Sequence, residues 1–235
     1  RRKKPLVIAI TGSRGKTVMK RILGELLASH YRVQTNPRSY NTEIGLPLAV
    51  LNVEIEPRSI VSVLQTLARA AWTALFSSQP LDVLVLEFGI RQRGDMHKLL
   101  RTVQPNIAII STLTPSYSSD VELLHTLQAE IRTLGDTVGS SCHFLLDGDD
   151  PLLEEIAASL PTPPLLLRRA DWSATENGHG LVLYSHTNGH AYPVTRELIG
   201  DSERTSVQAA VLLAERWTEL SQADIRRFLA PEIVQ

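Results

Sequence analysis

Short runs of apolar residues alternate with longer amphipathic segments along most of this chain. Three continuous apolar runs, Leu6–Ile10, Asp82–Phe88 and Asn106–Ser111, are typical of strands that are buried on both faces of a parallel sheet. Segments with apolar residues at helical spacing separate these runs. The alternation predicts an α/β fold with a mostly parallel sheet and flanking helices.

Further elements continue the alternation. Shorter apolar runs predict strands at Tyr31–Gln34, His143–Leu146 and Leu165–Leu167. Helical spacing predicts helices at Thr17–His30, Ser59–Phe76, Val121–Leu134, Pro151–Ser159, Ser202–Trp217 and Gln222–Phe228. We interpret residues 1–235 as one domain.

The pattern changes after Ala170. Two short runs, Leu181–Ser185 and Ala191–Val194, flank Thr187-Asn188-Gly189, and an Asn-Gly pair between such runs is typical of a tight hairpin. We therefore expect a small antiparallel element near residues 181–194, inserted at about residues 170–200.

Composition narrows the function classes. The chain has 235 residues, of which 43% are hydrophobic, and this is enough for the core of a large domain. A net charge of -1 argues against a general nucleic-acid binder. The single cysteine, Cys142, excludes an intrachain disulfide, and we interpret it as a buried small apolar residue.

The basic start, Arg1-Arg2-Lys3-Lys4, leaves two interpretations open. It could follow an excised membrane segment on the cytoplasmic side, or it could be a solvated leader. The sequence contains no apolar stretch of ~20 residues and no signal peptide pattern, and we expect a cytoplasmic location. The oligomeric state stays undetermined.

The segment TGSRGKT at residues 11–17 lies between a predicted strand and a predicted helix. Its glycines let several backbone N–H groups point at one anion, and the helix N-terminus adds partial positive charge. Lys16 is expected to reach the β- and γ-phosphates of a nucleotide, and the Thr17 hydroxyl to bind Mg²⁺. The alternative is a glycine-rich turn that binds nothing. The predicted nucleotide-binding residues are Gly12, Ser13, Arg14, Gly15, Lys16 and Thr17.

Glu87 is the last residue but one of the run Asp82–Phe88, at the carboxyl end of a predicted buried strand. Ligands of open α/β sheets bind at that edge. Glu87 is therefore the candidate second protein ligand of the metal, beside Thr17. The alternative is a carboxylate at the rim of the sheet that binds no metal.

Four segments occur in an order that resembles the central ATP-binding domain of the Mur ligase family. They are VIAITGSRGKT, YNTEIGLPLAVL at residues 40–51, LVLEFGIRQRGDM at residues 84–96 and LLDGDDPLL at residues 145–153. The similarity is greatest to the branch that adds D-alanyl-D-alanine to a muramoyl tripeptide. Together the segments are specific, whereas GKT alone is not.

The resemblance implies ATP-dependent amide bond formation in peptidoglycan precursor synthesis. A substrate carboxylate would attack the γ-phosphate, and an amine would then displace phosphate from the acyl phosphate. The resemblance implies ATP and Mg²⁺ as cofactors, a UDP-muramoyl-peptide-like substrate, and Lys16 and Glu87 as the catalytic residues. Asn41 and Thr42 would line the substrate side of the phosphate site; the alternative for Asn41 is a helix N-cap, and both roles could hold.

Further residues of the loop after the metal strand follow from the same resemblance. Gly89, Gly94 and Asp95 would shape this loop. The family's amino-terminal domain, which holds the UDP-sugar, and its carboxyl-terminal domain, which closes over ATP, have no counterpart in these 235 residues.

The chain also departs from the family pattern. Thr112 stands in place of an Asn, and Tyr117 falls near the place of a metal-binding His. Gln128 replaces a lysine that many members carbamylate to help bind the second metal. Arg204-Thr205 replaces the His-Asn pair whose Asn reads adenine.

Three functions remain open on these grounds. The first is the ATP-binding domain of a Mur-type amide ligase. The second is a degenerate, non-catalytic nucleotide-binding relative that has lost its second-metal ligands. The third is an unrelated P-loop kinase or NTPase, against which the segments NTEIGLPLAVL and DGDDP argue.

Overall fold

The computed structural model describes residues 4–37, 40–43, 45–51, 65, 68, 81–113, 121–177, 180–195 and 200–231. The strands in this part of the chain are β1 (Leu6–Thr11), β2 (Val33–Thr35), β3 (Val83–Glu87), β4 (Ile107–Ile110), β5 (His143–Asp147), β6 (Leu165–Leu167), β7 (Trp172–Asn177), β8 (Gly180–Ser185) and β9 (Ala191–Val194). The helices are α1 (Lys16–Ala28), α2 (Gly45–Val50), α3 (Asp95–Thr102), α4 (Val121–Val138), α5 (Pro151–Ala157), α6 (Asp201–Trp217) and α7 (Gln222–Leu229).

Strands β1 to β6 form one parallel sheet in the order β2-β3-β1-β4-β5-β6. In this order β1 lies between β3 and β4, and Ile10 is in register with Glu87. The loop that follows β1 and the residues that end β3 and β4 therefore meet at one edge of the sheet. This is the edge at which open α/β sheets bind ligands.

Both faces of the sheet are covered. Ile8 and Ile10 of β1 belong to a buried cluster that includes α1 and α6, whereas Val7 and Ala9 belong to a cluster on the other face with α3 and α4. Successive side chains of a strand point to opposite faces, so a strand covered on both sides must be apolar throughout. The continuous apolar runs of the sequence have this cause.

A second sheet is antiparallel and contains β7, β8 and β9. The predicted hairpin between β8 and β9 is confirmed. The strand β7, which pairs with β8, was not predicted, because its sequence WSATEN is largely polar and exposed. The α/β prediction with a small antiparallel element is thus confirmed and extended by one strand.

One predicted strand has different bounds in the structure. The strand predicted at Tyr31–Gln34 begins only at Val33, because the N–H of Tyr31 still donates to the carbonyl of Leu27 at the end of α1. Short helices α2 and α3 were not predicted. The helix predicted at Ser59–Phe76 lies almost wholly outside the described residues. No helix among the described residues is long and apolar enough to cross a membrane.

Candidate functional site

The loop between β1 and α1 has a backbone that requires its glycines. Gly12 has φ 123°, and a Cβ there would lie 2.6 Å from the Ser111 carbonyl oxygen. Gly15 has φ 78° and caps the N-terminus of α1. Positive φ and close backbone approach both favour glycine. The predicted glycine-rich loop before a helix is therefore present, with its two glycines where the backbone needs them.

Lys16 begins α1 and turns back over this loop. Its Nζ donates to the carbonyl of Gly12 at 2.7 Å and to that of Ser13 at 3.2 Å. Burial lowers the pKa of Lys16, and the negative charge of Glu87 acts in the opposite direction. A partly buried ammonium held inside a glycine-rich loop is placed to meet an anion that enters the loop.

The loop is tied to the end of β4. The Ser13 backbone N–H and hydroxyl both donate to the Thr112 carbonyl, at 2.9 and 2.7 Å. The Ser111 hydroxyl donates to the carbonyls of Thr11 and Arg14. The Ser13 hydroxyl is thus engaged within the protein, and it positions the loop; the role of Ser13 in nucleotide binding stays a prediction.

Glu87 and Thr17 meet at the centre of the site. The Thr17 hydroxyl donates to Glu87 Oε2 at 2.9 Å, and Asn41 Nδ2 donates to Glu87 Oε1 at 2.9 Å. Glu87 is only 5% exposed. The structure therefore brings together three of the predicted site residues, from α1, β3 and the segment before α2.

The Asn41 side chain contacts the carboxylate of Glu87 through its Nδ2. The Asn41 carbonyl also accepts from the Gly89 N–H, and a Cβ at Gly89 would lie 2.9 Å from the Asn41 side chain. Thr42 follows Asn41 directly, and its substrate-side role stays a prediction. Its carbonyl accepts from the Leu46 N–H at the start of α2, so the shown contact of Thr42 is with this helix.

Two buried residues beside Glu87 were missed by the sequence reasoning. Lys20, which is 6% exposed, places Nζ 3.6 Å from Glu87 Oε2 and donates to the Asn36 carbonyl at 2.7 Å. The Asn36 side chain accepts from the Glu87 N–H at 2.8 Å and donates to the Glu87 carbonyl at 3.2 Å. Lys20 lies one helical turn after Lys16, and that spacing was the signal available in the sequence.

The oxygens of Thr17 and Glu87 fit a magnesium ion. Mg²⁺ prefers hard oxygen ligands, and proteins usually hold it through one or two side chains while phosphates and water complete the shell. Among the described residues no group of three or more His, Cys, Asp or Glu could hold a metal ion. Phosphate oxygens or water would complete the shell of a Mg²⁺ ion bound at Thr17 and Glu87.

A cavity of about 270 Å³ adjoins the loop on the side away from Glu87, between the ends of β4 and β5 and helix α6. Arg14 and Gly15 line it from the loop, and Ser202 and Thr205 from α6. Asp147 lies in its wall, and burial raises the pKa of that carboxyl. The cavity has the mixed polar and apolar lining of a small-molecule site.

Two buried carboxylates hold the loops around the site. Glu130 of α4 accepts from the N–H groups of Gly94 and Met96, both at 2.7 Å, and so fixes the start of α3. Asp150 accepts from the Thr112 hydroxyl at 2.8 Å and from the Leu113 N–H at 2.7 Å. Neither carboxylate was predicted.

The predicted loop after β3 has the expected form. Asp95 accepts from the N–H groups of Arg91 and Gln92, and Gly94 has φ 86° at the N-terminus of α3. Asp95 also opens α3, which the sequence reasoning had assigned to a loop.

The positions that depart from the family pattern lie in different settings. Tyr117 is outside the described residues. Gln128 is half-buried on α4. Thr205 lines the cavity, and Arg204 Nε is buried without a hydrogen-bond partner among the described residues.

The fold and the site define a parallel α/β domain with a glycine-rich loop before its first helix and a buried carboxylate on the neighbouring strand. The profile of the Mur ligase middle domain matches residues 10–163. Because that match covers more than half of the chain, the chain belongs to the Mur ligase family. The predicted resemblance is confirmed.

The chain is similar to curated ligases of this family and, in fold, to several solved structures. The UDP-N-acetylmuramoyl-tripeptide--D-alanyl-D-alanine ligase of Bacillus subtilis (strain 168) is 26% identical over 148 residues, which are 63% of this chain and 27% of that ligase. A crystal structure of MurF from Acinetobacter baumannii has a TM-score of 0.71 at 19% identity and covers 96% of this chain and 45% of that one. A MurF ligase from Thermotoga maritima, solved in complex with ADP, has a TM-score of 0.67 at 19% identity, covering 95% and 48%.

At this identity the structural likeness shows the shared fold. The chain spans less than half of the length of each of these proteins.

Proposed function

We propose that this chain is the ATP-binding domain of a Mur-type acid–amino acid ligase. The contact that carries the proposal is the Thr17–Glu87 hydrogen bond, which places a hydroxyl of the glycine-rich loop on a buried carboxylate. Family membership supports the same function. We propose one domain over residues 1–235, because α6, beyond the matched residues 10–163, packs with α1 in one core.

The proposed chemistry begins with phosphoryl transfer. The loop N–H groups and Lys16 would hold the β- and γ-phosphates of ATP, with the nucleoside in the cavity beside Thr205. Magnesium, held by Thr17 and Glu87, would supply neutralisation of the phosphate charge. A substrate carboxylate oxygen then attacks the γ-phosphorus, the bond to the bridging oxygen breaks, and ADP leaves.

The second step forms the amide. An amine attacks the acyl carbon of the acyl phosphate, inorganic phosphate leaves, and the amine loses a proton. Asn41 donates to Glu87 Oε1 and, with Thr42, would line the substrate side of the phosphate site. We propose a UDP-muramoyl-peptide-like carboxylate substrate and a dipeptide amine, following the relatives' names, and a cytoplasmic site of action.

A second candidate function is a nucleotide-binding relative without catalysis. Gln128 favours it, because an amide cannot take the carbamyl group that the resemblance places at this position. In that case the loop and Glu87 would bind Mg·ATP, but no substrate carboxylate would promote ADP release.

Turnover separates the two functions. The chain is joined to the flanking domains of the Bacillus subtilis relative, and ADP release is measured with UDP-muramoyl tripeptide and D-alanyl-D-alanine. Release that requires both substrates, and that is lost on Lys16→Ala, is the result we expect. Mg·ATP binding without substrate-dependent release would contradict the ligase and support the non-catalytic candidate.

A further inference from the structure

Lys20 is a buried cation beside the proposed metal carboxylate, and no step described above uses it. Its ammonium lies 3.6 Å from Glu87 Oε2, the oxygen that also accepts from the Thr17 hydroxyl. Both Lys20 and Glu87 are about 95% buried. Water therefore screens this pair poorly, and the charge of Lys20 acts on whatever binds at that oxygen.

Lys20 cannot move away from Glu87 without breaking a buried network. Its Nζ donates to the Asn36 carbonyl at 2.7 Å, and Asn36 is 1% exposed. The Asn36 side chain bonds both the N–H and the carbonyl of Glu87, so the anchor and the carboxylate are parts of one rigid unit. A lysine fixed in this way is a permanent feature of the site.

The charges around the proposed metal position sum to a positive value. Lys16 and Lys20 each contribute one positive charge, and Glu87 contributes one negative charge. Burial lowers the pKa of both lysines, and the charge of Glu87 acts in the opposite direction. A free divalent cation meets net repulsion there. A nucleotide triphosphate in the loop reverses the sign, because it brings several negative charges next to Lys16.

We infer that Lys20 keeps free divalent metal ions off Glu87 and thereby makes metal binding depend on the nucleotide. Metal then enters as the metal–nucleotide complex, and the protein does not hold the ion between turnovers. Lys20 is a positioning residue of the metal site in this account. The inference rests on the proposed role of Glu87 as a metal ligand.

The test measures Mn²⁺ binding to this chain by electron paramagnetic resonance, without nucleotide. Lys20→Gln removes the charge and keeps a donor for the Asn36 carbonyl; removal of one positive charge beside a divalent ion should tighten Mn²⁺ binding about tenfold. With a non-hydrolysable ATP analogue present, the Mn²⁺ affinities of the variant and the parent should differ much less.

The control is Arg32→Gln, which removes a cation from Asp82 just before the opposite end of β3 and should leave Mn²⁺ binding unchanged.

Lys20→Gln with unchanged or weaker Mn²⁺ binding would overturn the inference, and would show Lys20 to be a structural ion-pair partner only. The double variant Lys20→Gln/Glu87→Gln must lose the gained affinity if the ion lies at Glu87. If Lys20→Gln does not fold, the parent still tests the inference: tight Mn²⁺ binding by the parent without nucleotide would contradict it.

Failure of the proposed function has a different signature. If the parent chain binds no metal–nucleotide complex, the proposed function is contradicted, whatever the Mn²⁺ affinity of Lys20→Gln. If the parent binds the complex but Lys20→Gln binds Mn²⁺ with unchanged affinity, only the inference about Lys20 is contradicted.

Discussion

The Thr17 hydroxyl donates a 2.9 Å hydrogen bond to Glu87 Oε2, although 70 positions separate the two residues in the sequence. The pairing of β1 with β3 makes this possible, since Ile10 and Glu87 are in register and the loop starts directly after Ile10 and Thr11. The contact joins Thr17, just after the glycine-rich loop, to the buried carboxylate of β3, the neighbour of β1 in the sheet.

Glu87→Gln should remove the effect of magnesium on nucleotide binding. The amide keeps the shape of the side chain but is a poor ligand for Mg²⁺, so we expect at least about a tenfold loss of ATP affinity in the presence of magnesium. Calorimetric titrations with magnesium and with a chelator measure this effect. Asp82→Asn, at the other end of β3, is the matched control and should behave as the parent. A Glu87→Gln variant that still responds to magnesium would contradict the metal role of Glu87.

The same variant should unfold more easily. Lys20 would then be a buried ammonium without its carboxylate, and breaking a buried ion pair from one side costs about 3 kcal/mol. Urea denaturation of Glu87→Gln and of the double variant Lys20→Gln/Glu87→Gln tests this cause. The double variant should recover part of the lost stability, and equal losses in both would show that the unpaired charge is not the reason.

Glu130→Ala should lower the free energy of unfolding by about 2 kcal/mol, because it leaves the buried N–H of Met96 and the partly buried N–H of Gly94 without their acceptor. Glu155→Ala is the control, since Glu155 makes an exposed ion pair with Arg132 that is worth at most about 1 kcal/mol. Urea denaturation gives both values. A loss for Glu130→Ala no larger than that of the control would show that this carboxylate does not hold the start of α3.

Gly12→Ala should be more harmful than Gly139→Ala. Both glycines have positive φ, 123° and 57°, but only at Gly12 would a Cβ collide with another residue, at 2.6 Å from the Ser111 carbonyl oxygen. We expect a cost of about 1 kcal/mol at Gly139 from the backbone alone, and a larger loss of stability together with loss of nucleotide binding at Gly12. Thermal unfolding and ATP titration measure the difference, and equal behaviour of the two variants would argue against the tight contact between the loop and β4.

Cys142 should be unreactive in the folded protein. Burial raises the pKa of its thiol to about 12, so only about one molecule in 10,000 carries the thiolate at about pH 8. A disulfide reagent should therefore label the native chain very slowly, and the chain unfolded in guanidinium chloride rapidly. Equal rates would show that Cys142 is accessible, against its interpretation as a buried apolar residue.

The pattern of apolar residues predicted the strands of the parallel sheet that are buried on both faces. The runs in β1, β3 and β4 are apolar throughout because helices cover both faces, and such runs are visible without any knowledge of the fold. By contrast β7 carries polar side chains and owes its conformation to pairing with β8, a partner that lies further along the chain. A strand that depends on such pairing shows no alternation of apolar and polar residues in its own sequence.

The same distinction holds for the site. The sequence predicted Lys16 and Thr17 from the glycine-rich loop motif, and Glu87 from its place at the end of a predicted strand. Lys20 was missed because its significance depends on Glu87, which is brought beside α1 only by the sheet. Glu130 was missed for a similar reason, since its partners belong to a different helix.

A titration of Mg·ATP into this chain, followed by calorimetry, tests the central claim most directly. Lys16→Ala removes the ammonium that lies over the loop, and Lys98→Ala removes an exposed lysine that pairs with Glu43. We predict binding by the parent and by Lys98→Ala, and a loss of about 100-fold or more for Lys16→Ala, because a charged donor to phosphate is lost. Binding by Lys16→Ala with the affinity of the parent would contradict the assignment of residues 11–17 as the phosphate site.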